Sequence, residues 1–315
     1  QIRDKNDMKT VVEELKNTHT LRKACDFYMR TPSFAAISGK SQYDYERILK
    51  SVCLSSVQSG RILGNTKLKD LRFKHVTVAY DHWVMNHGIR SANYMATCLS
   101  IVINMSIRHE ALVTNPVSLI ERKKTKPRKV KWTTPQVKLF LDTAYSEWRW
   151  RSIGIIVHMA FHWAQRVGDM RTLEWTSIDL VNNKLELEQS KRGADVFIPI
   201  QGGLVDVLAQ QKKDFGFQPY VAPRVRPRAG AYTPYDDQEI CGLVNQVKNK
   251  AGLPSNLTAM DLRRTAITQL VEKGADVVGI MQVSGHANPQ SVKPYLVNTL
   301  TGATTAQANR KADLI

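Results

Sequence analysis

Residues 258–295 read TAMDLRRTAITQLVEKGADVVGIMQVSGHANPQSVKPY. Thr258 with Asp261 three residues on is a capping-box pattern, and Gly274 after Lys273 is a stop signal, so a helix is expected between them. At about 100° per residue, Leu262, Ala266, Ile267, Leu270 and Val271 share one apolar face. Arg263 falls near the middle of that face. A guanidinium cannot shed its charge, so there it needs an anion. Two partners are open: a buried carboxylate such as Asp169, or a ligand anion, for which phosphate is the natural candidate. The first turns of a helix attract negative charge, which favours the second. A short apolar helix (Val277 to Val283) then leads to Gly285-His286. Asn288-Pro289 opens another helix with Asn at the cap and Pro at the first position, and Tyr295 follows.

Working outward, the whole chain has 315 residues, enough for two domains, and 43% apolar residues, enough for packed cores. A net charge of +17 indicates a polyanionic partner. The four cysteines, Cys25, Cys53, Cys98 and Cys241, form no CxxC pair. Neither a zinc site nor a disulfide framework is expected, and a reducing cytoplasm fits. The longest apolar stretch, Ile153 to Ala164, is too short to span a bilayer, and no signal peptide is seen. The chain begins at Gln1 rather than Met, and residues 1–24 are expected to be the end of a missing N-terminal arm.

Residues 25–120 read as all helix, in runs such as Tyr45-Ile48-Leu49-Val52 and Val76-Ala79-Tyr80-Trp83. Breaks are expected at Gly60, Gly64-Asn65 and His87-Gly88. Residues 121–133 form a basic linker, in which seven of the eleven residues of ERKKTKPRKVK are Lys or Arg. Such a run is either a solvated face or a strap along a phosphate backbone. Lys123, Lys124, Lys126, Arg128 and Lys129 are the candidate DNA-binding residues. Residues 134–300 start a second, mostly helical block at Thr133-Thr134-Pro135. Its pattern turns to period two at Leu185–Leu187 and Val196–Ile200, which read as a hairpin around Lys191-Arg192-Gly193. Residues 301–315 are small and polar. The fold class expected is mainly α with a small β-hairpin or sheet (α+β).

The set Arg-Arg, Gly-His and Tyr at these separations resembles the C-terminal signature of the tyrosine recombinases, the phage integrase family. Arg166, in AQRVGDMRTLEW, resembles the first family arginine, with Asp169 as the supporting acid. Lys191, in QSKRG, matches the hairpin lysine. Arg263 matches the second arginine, His286 the histidine or tryptophan after the glycine, and Tyr295 the nucleophile. The resemblance implies a helical core DNA-binding domain (25–120) joined to a catalytic domain (134–300). It also implies a C-terminal tail that docks on a neighbouring protomer in a homotetramer on double-stranded DNA. The implied reaction needs no cofactor and no metal. The implied setting is the cytoplasm or nucleoid of a bacterial host, with a DNA-bending accessory protein as a further expected partner and no membrane.

These residue types suit that chemistry. A tyrosine hydroxyl attacks a backbone phosphate, forms a 3′-phosphotyrosyl link and releases a 5′-hydroxyl. Two arginines fork onto the non-bridging oxygens and a histidine donates a third bond. A lysine protonates the leaving oxygen, and nearby cations favour the phenolate. Two positions depart from the family pattern. Where a histidine usually stands three residues before the second arginine, this chain has Met260, which cannot carry protons but is expected to share a helix face with Arg263 and line the pocket. Pro294 directly precedes Tyr295 and is expected to kink its segment. The leading reading is a phage-type integrase acting at attachment sites. The alternatives are a resolvase or invertase of the same chemistry, a cleavage-impaired DNA-binding regulator, and a type IB topoisomerase-like relaxing enzyme.

Overall fold

A computed structural model of the chain describes residues 20–57, 60–190 and 193–295. Most of the N-terminal segment 1–24 and the tail 301–315 lie outside them. The chain divides into two compact units between Pro127 and Arg128.

The first unit is helical, and its caps are local side chains. Helices α1 (Leu21–Tyr28), α2 (Pro32–Ala35) and α3 (Gly39–Leu54) are capped by Thr20, Thr31 and Ser38 respectively, each accepting a bond from a first-turn N–H. The long α4 (Phe73–Arg108) is two helices joined at Gly88, whose φ of 77° and ψ of 162° only glycine adopts readily. The expected break at His87-Gly88 is therefore a kink inside one element. Leu21, Leu49, Val52, Val76, Trp83, Leu99 and Val102 are buried in its core. Trp83 Nε1 donates to Ser55 Oγ at 2.6 Å. Tyr80 Oη accepts from the Lys123 backbone N–H at 2.8 Å, which ties the start of the basic segment to α4. Residues 120–133 form no helix or strand.

In the second unit, α5 (Thr134–Tyr145) opens with a reciprocal capping box between Thr133 and Gln136. The central helix α6 (Arg151–His162) is buried on most of its surface and packs on α5 and on the shorter α7 (Val167–Arg171). A three-stranded antiparallel sheet follows, in the order β1 (Ile178–Asp179), β2 (Lys184–Glu188), β3 (Asp195–Pro199). Leu185 pairs with Ile198 and Leu187 with Val196, so the apolar positions of β2 and β3 share one face against the core. The sequence suggested β2 and β3 but not β1, which at two residues is too short to show a period. Helices α8 (Gly203–Phe215), α9 (Asp237–Lys250), α10 (Asp261–Glu272) and α11 (Val277–Ser284) complete the unit. The Asn288-Pro289 start expected of a further helix yields only the 3-10 turn Pro289–Ser291, and a second such turn spans Lys293–Tyr295. No helix among the described residues is long and apolar enough to cross a membrane.

One helix start differs from expectation. Thr258 is not the N-cap of α10; Met260 occupies that position without a side-chain cap bond. The Asp261 carboxylate instead accepts from the backbone N–H and hydroxyl of Thr258 at 3.0 and 2.8 Å, so the pair closes a turn one step ahead of the helix.

A pH dependence is built into α6. His158 Nδ1 lies 3.1 Å from Tyr145 Oη. Burial, with His162 adding to it, pushes the His158 imidazole down to about 4. The folded state thus holds His158 neutral where the unfolded chain, titrating near 6.5, already binds a proton, so stability falls as pH drops from about 6.5 toward 4. At pH 5 this amounts to roughly 2 kcal/mol. Denaturant unfolding at pH 7 and pH 5 should show His158→Gln losing about 2 kcal/mol less than the wild type between those two pH values.

Candidate active site

The sharp turn after α6 sets the position of Arg166. Ala164 takes φ 52°, a left-handed conformation uncommon for alanine, and is buried. The chain turns there, leaving Gln165 fully buried and Arg166 partly buried. Arg166 is the N-cap residue of α7. Its Nη1 donates to Gln189 Oε1 at 2.6 Å and lies 3.6 Å from Asp169 Oδ2. Asp169 is buried, and its other oxygen accepts from the backbone N–H and hydroxyl of Ser190, at the end of the β2 arm of the hairpin. The carboxylate considered for Arg263 therefore pairs with Arg166 instead. Lys191, the next residue, lies outside the described residues.

Gln189 is fully buried and acts as a junction. Its amide nitrogen donates to Gln165 Oε1 at 2.6 Å and to the Ser284 carbonyl at 2.9 Å. Gln165, also fully buried, donates to the carbonyls of Trp163 and Val283 at 2.9 and 2.6 Å. The two amides thus fasten the end of α6 and the hairpin to the last turn of α11. The same Ser284 carbonyl accepts from Arg263 Nη2 at 2.6 Å. Arg263 is 9% exposed, on the inner face of α10, as its position among apolar neighbours required.

Gly285 ends α11 in the left-handed conformation, with φ 65° and ψ 32°. That turn projects His286 back toward α10, where its Nε2 is 3.4 Å from Arg263 Nη2. The Ser284 hydroxyl donates its single proton to the Ile280 carbonyl at 2.5 Å. Its 2.7 Å contact with His286 Nδ1 is then an N–H donating to oxygen. This bonding places a proton on Nδ1 and leaves Nε2 facing Arg263. Tyr295 follows, held by a backbone bond from its N–H to the Val292 carbonyl at 2.8 Å. Val292 is fully buried with Ala266, Ile267 and Ile280, and the Tyr295 ring packs against that cluster. The Tyr295 and His286 ring centroids are 5.9 Å apart.

Four residues expected from the sequence are therefore joined in one chain of contacts: Arg166 through Gln189 and Ser284 to Arg263, then through His286 to Tyr295. Met260, at the N-cap of α10 with helical φ and ψ, is 79% exposed and has no side-chain cap bond. Of the basic linker, Lys123, Lys124, Lys126 and Lys129 are exposed. Arg128 forks onto Asp261 at 2.8 and 2.7 Å and also bonds the Asn256 carbonyl, so its donors serve the start of α10. Gln165, Gln189 and Ser284 carry no charge and no periodic signal, and the reading of the sequence passed over them.

Gly285 tests this junction. A Cβ there would lie 2.5–2.7 Å from the Gln189 side-chain amide, at a φ that L side chains rarely adopt. Gly285→Ala should lower stability by roughly 2–4 kcal/mol, since backbone strain and a displaced buried amide act together. Because the displaced amide bonds Arg166 and shares the Ser284 carbonyl with Arg263, any activity centred on the two arginines should fall as well. Adding Gln189→Ala makes room for the new methyl. Unfolding free energies of the double variant should be less unfavourable than the sum of the two single changes.

Comparison with known proteins agrees with the fold. Residues 132–300 match the phage integrase family. The integrase of Escherichia phage HK022 is 23% identical over 257 residues, spanning 79% of this chain and 67% of that protein. The tyrosine recombinase XerA of Pyrococcus horikoshii is 26% identical over 233 residues, spanning 72% of this chain and 78% of that one. Among solved structures, a lambda integrase dimer bound to a COC′ core site superposes with a TM-score of 0.72 at 20% identity, covering 90% of this chain and 78% of that one. The Tn1549 transposon integrase in complex with circular intermediate DNA superposes with a TM-score of 0.71 at 16% identity, covering 92% and 99%. A helical protein with this small antiparallel sheet and these relatives is a site-specific recombinase of the tyrosine class. The chain belongs to the phage integrase family.

Proposed function

We propose that Arg166, Arg263, His286 and Tyr295, with Lys191, form the strand-cleaving centre, and that the enzyme joins and excises DNA at attachment sites as a phage-type integrase. The observation that carries this reading is the continuous set of contacts from Arg166 to Tyr295. The scissile phosphate sits against the two guanidiniums. Tyr295 Oη attacks phosphorus, the Oη–P bond forms, the P–O5′ bond breaks, and Lys191 gives the departing oxygen a proton. The phenolic proton leaves to solvent or to a substrate oxygen, since Met260 cannot take it. The arginines neutralise charge that grows on the non-bridging oxygens, and they are already held in place before substrate arrives; His286 adds a donated bond there in its doubly protonated form, with Nε2 as well as Nδ1 carrying a proton. One phosphodiester is exchanged for another, so the reverse attack by a 5′-hydroxyl reseals the strand.

The HK022 integrase and the lambda integrase bound to a core site support attachment-site DNA as the substrate. A lambda integrase tetramer bound to a Holliday junction, with a TM-score of 0.71, supports a tetramer as the working form. The exposed lysines 123, 124, 126 and 129 suit a phosphate backbone, and binding should weaken steeply with salt.

The test is a nicked duplex that loses its 5′-hydroxyl fragment after cleavage and so traps the covalent intermediate. Peptide mapping of the trapped adduct should find the DNA on residue 295. An adduct on another residue, or none across a library of candidate core sites, overturns the reading.

A further inference from the structure

Arg264, next to Arg263 on α10, has no part in the chain of contacts described above. Its guanidinium carbon lies 5.3 Å from the centroid of the Tyr295 ring. Among the described residues no carboxylate bridges it, so the aromatic ring is its partner. The ring of Tyr295 is thus flanked by Arg264 and by the His286 ring 5.9 Å away. The segment that carries Tyr295 is otherwise held mainly by Val292. It is a single 3-10 turn containing Pro294, with few backbone bonds of its own.

We propose that Arg264 is a positioning residue for the nucleophile: its guanidinium lies against the ring of Tyr295 and holds the phenol beside His286. This rests on the reading of Tyr295 as the nucleophile. A cation over a tyrosine ring is attracted by the π electrons and holds the ring by its face. The hydroxyl stays clear of the contact, free to meet a phosphorus atom. Adjacent arginines on one helix then divide the work. Arg263 points inward to the phosphate position, and Arg264 restrains the group that attacks it.

The test uses the full chain with Arg264→Gln, Arg264→Lys and Tyr295→Phe. Circular dichroism and duplex affinity first establish that each variant folds and binds. On the nicked trapping duplex at saturating DNA, Arg264→Gln should form adduct about 2- to 30-fold more slowly, the range expected for loss of a cation–π contact. Arg264→Lys keeps a cation and should recover most of the rate. Hydroxyl-radical footprinting of the free protein, read by mass spectrometry, should show Tyr295 more reactive in Arg264→Gln and near wild type in Arg264→Lys. An unchanged saturated rate in Arg264→Gln overturns the proposal. So does a flatter salt dependence of DNA binding with normal cleavage, which would make Arg264 a phosphate contact. Equal losses in Gln and Lys with an unchanged footprint also overturn it, because they indicate a structural role. Adduct formation by Tyr295→Phe would instead sink the underlying reading of the nucleophile.

Discussion

Tyr295→Phe is expected to bind its duplex with unchanged affinity and to yield no SDS-stable protein–DNA adduct. The change deletes one oxygen, the atom proposed to bond phosphorus, and keeps the ring that packs beside Ile267, Ile280 and Val292. Folding should therefore shift by no more than about 0.5 kcal/mol. Loss should be at least on the order of 10⁴-fold, the scale on which removing a covalent nucleophile acts in other enzymes. Denaturing gels of the trapping reaction measure it directly. An adduct retained at wild-type yield would mean that another residue attacks, and the assignment of the site would have to be abandoned.

Arg263→Gln should slow adduct formation by roughly 10²–10³-fold at saturating DNA, with the salt slope of binding altered by about one unit at most. The argument is geometric. Arg263 is buried on α10 and bonds the Ser284 carbonyl with one nitrogen, so its planar fork is aimed before substrate arrives. Glutamine keeps polar bulk but has neither charge nor fork. The Ser284 carbonyl keeps its bond from Gln189, and the last turn of α11 should hold. Removing a buried cation also removes its desolvation cost, so the melting temperature should change little. Arg263→Lys should fall between, because an ammonium places charge near the phosphate without the bidentate geometry. A cleavage rate within about threefold of wild type in Arg263→Gln would exclude transition-state stabilisation by this side chain.

The local signals in the chain were strong where physics is local. The kink at Gly88, the capping box at Thr133 and Gln136 and the strand alternation in β2 and β3 are written in residues a few positions apart. The same holds for the inward Arg263 and the turn at Gly285. Helical and strand periods assign faces, and a glycine after an apolar run marks a left-handed cap. Thr258 shows the limit of such signals. Its pattern with Asp261 is a contact but not a helix start, because the Thr258 hydroxyl donates to the Asp261 carboxylate rather than accepting from a first-turn N–H.

From the sequence alone came the class of fold and the basic character of the chain, because charge and periodicity are short-range properties; of the four side chains that the contacts unite, Arg263 is marked by its helix face, and Arg166, His286 and Tyr295 by the family resemblance. Tertiary structure alone decided how they are united. Gln165 and Gln189 are neutral amides 24 positions apart, as the span of their bond shows. Nothing in their neighbours marks them as buried, and their value appears only when folding brings α6, the hairpin and α11 to one point. A buried polar group must find partners, and which partners it finds is fixed by distance in space rather than along the chain. The ring of Tyr295 against Arg264 belongs to the same category.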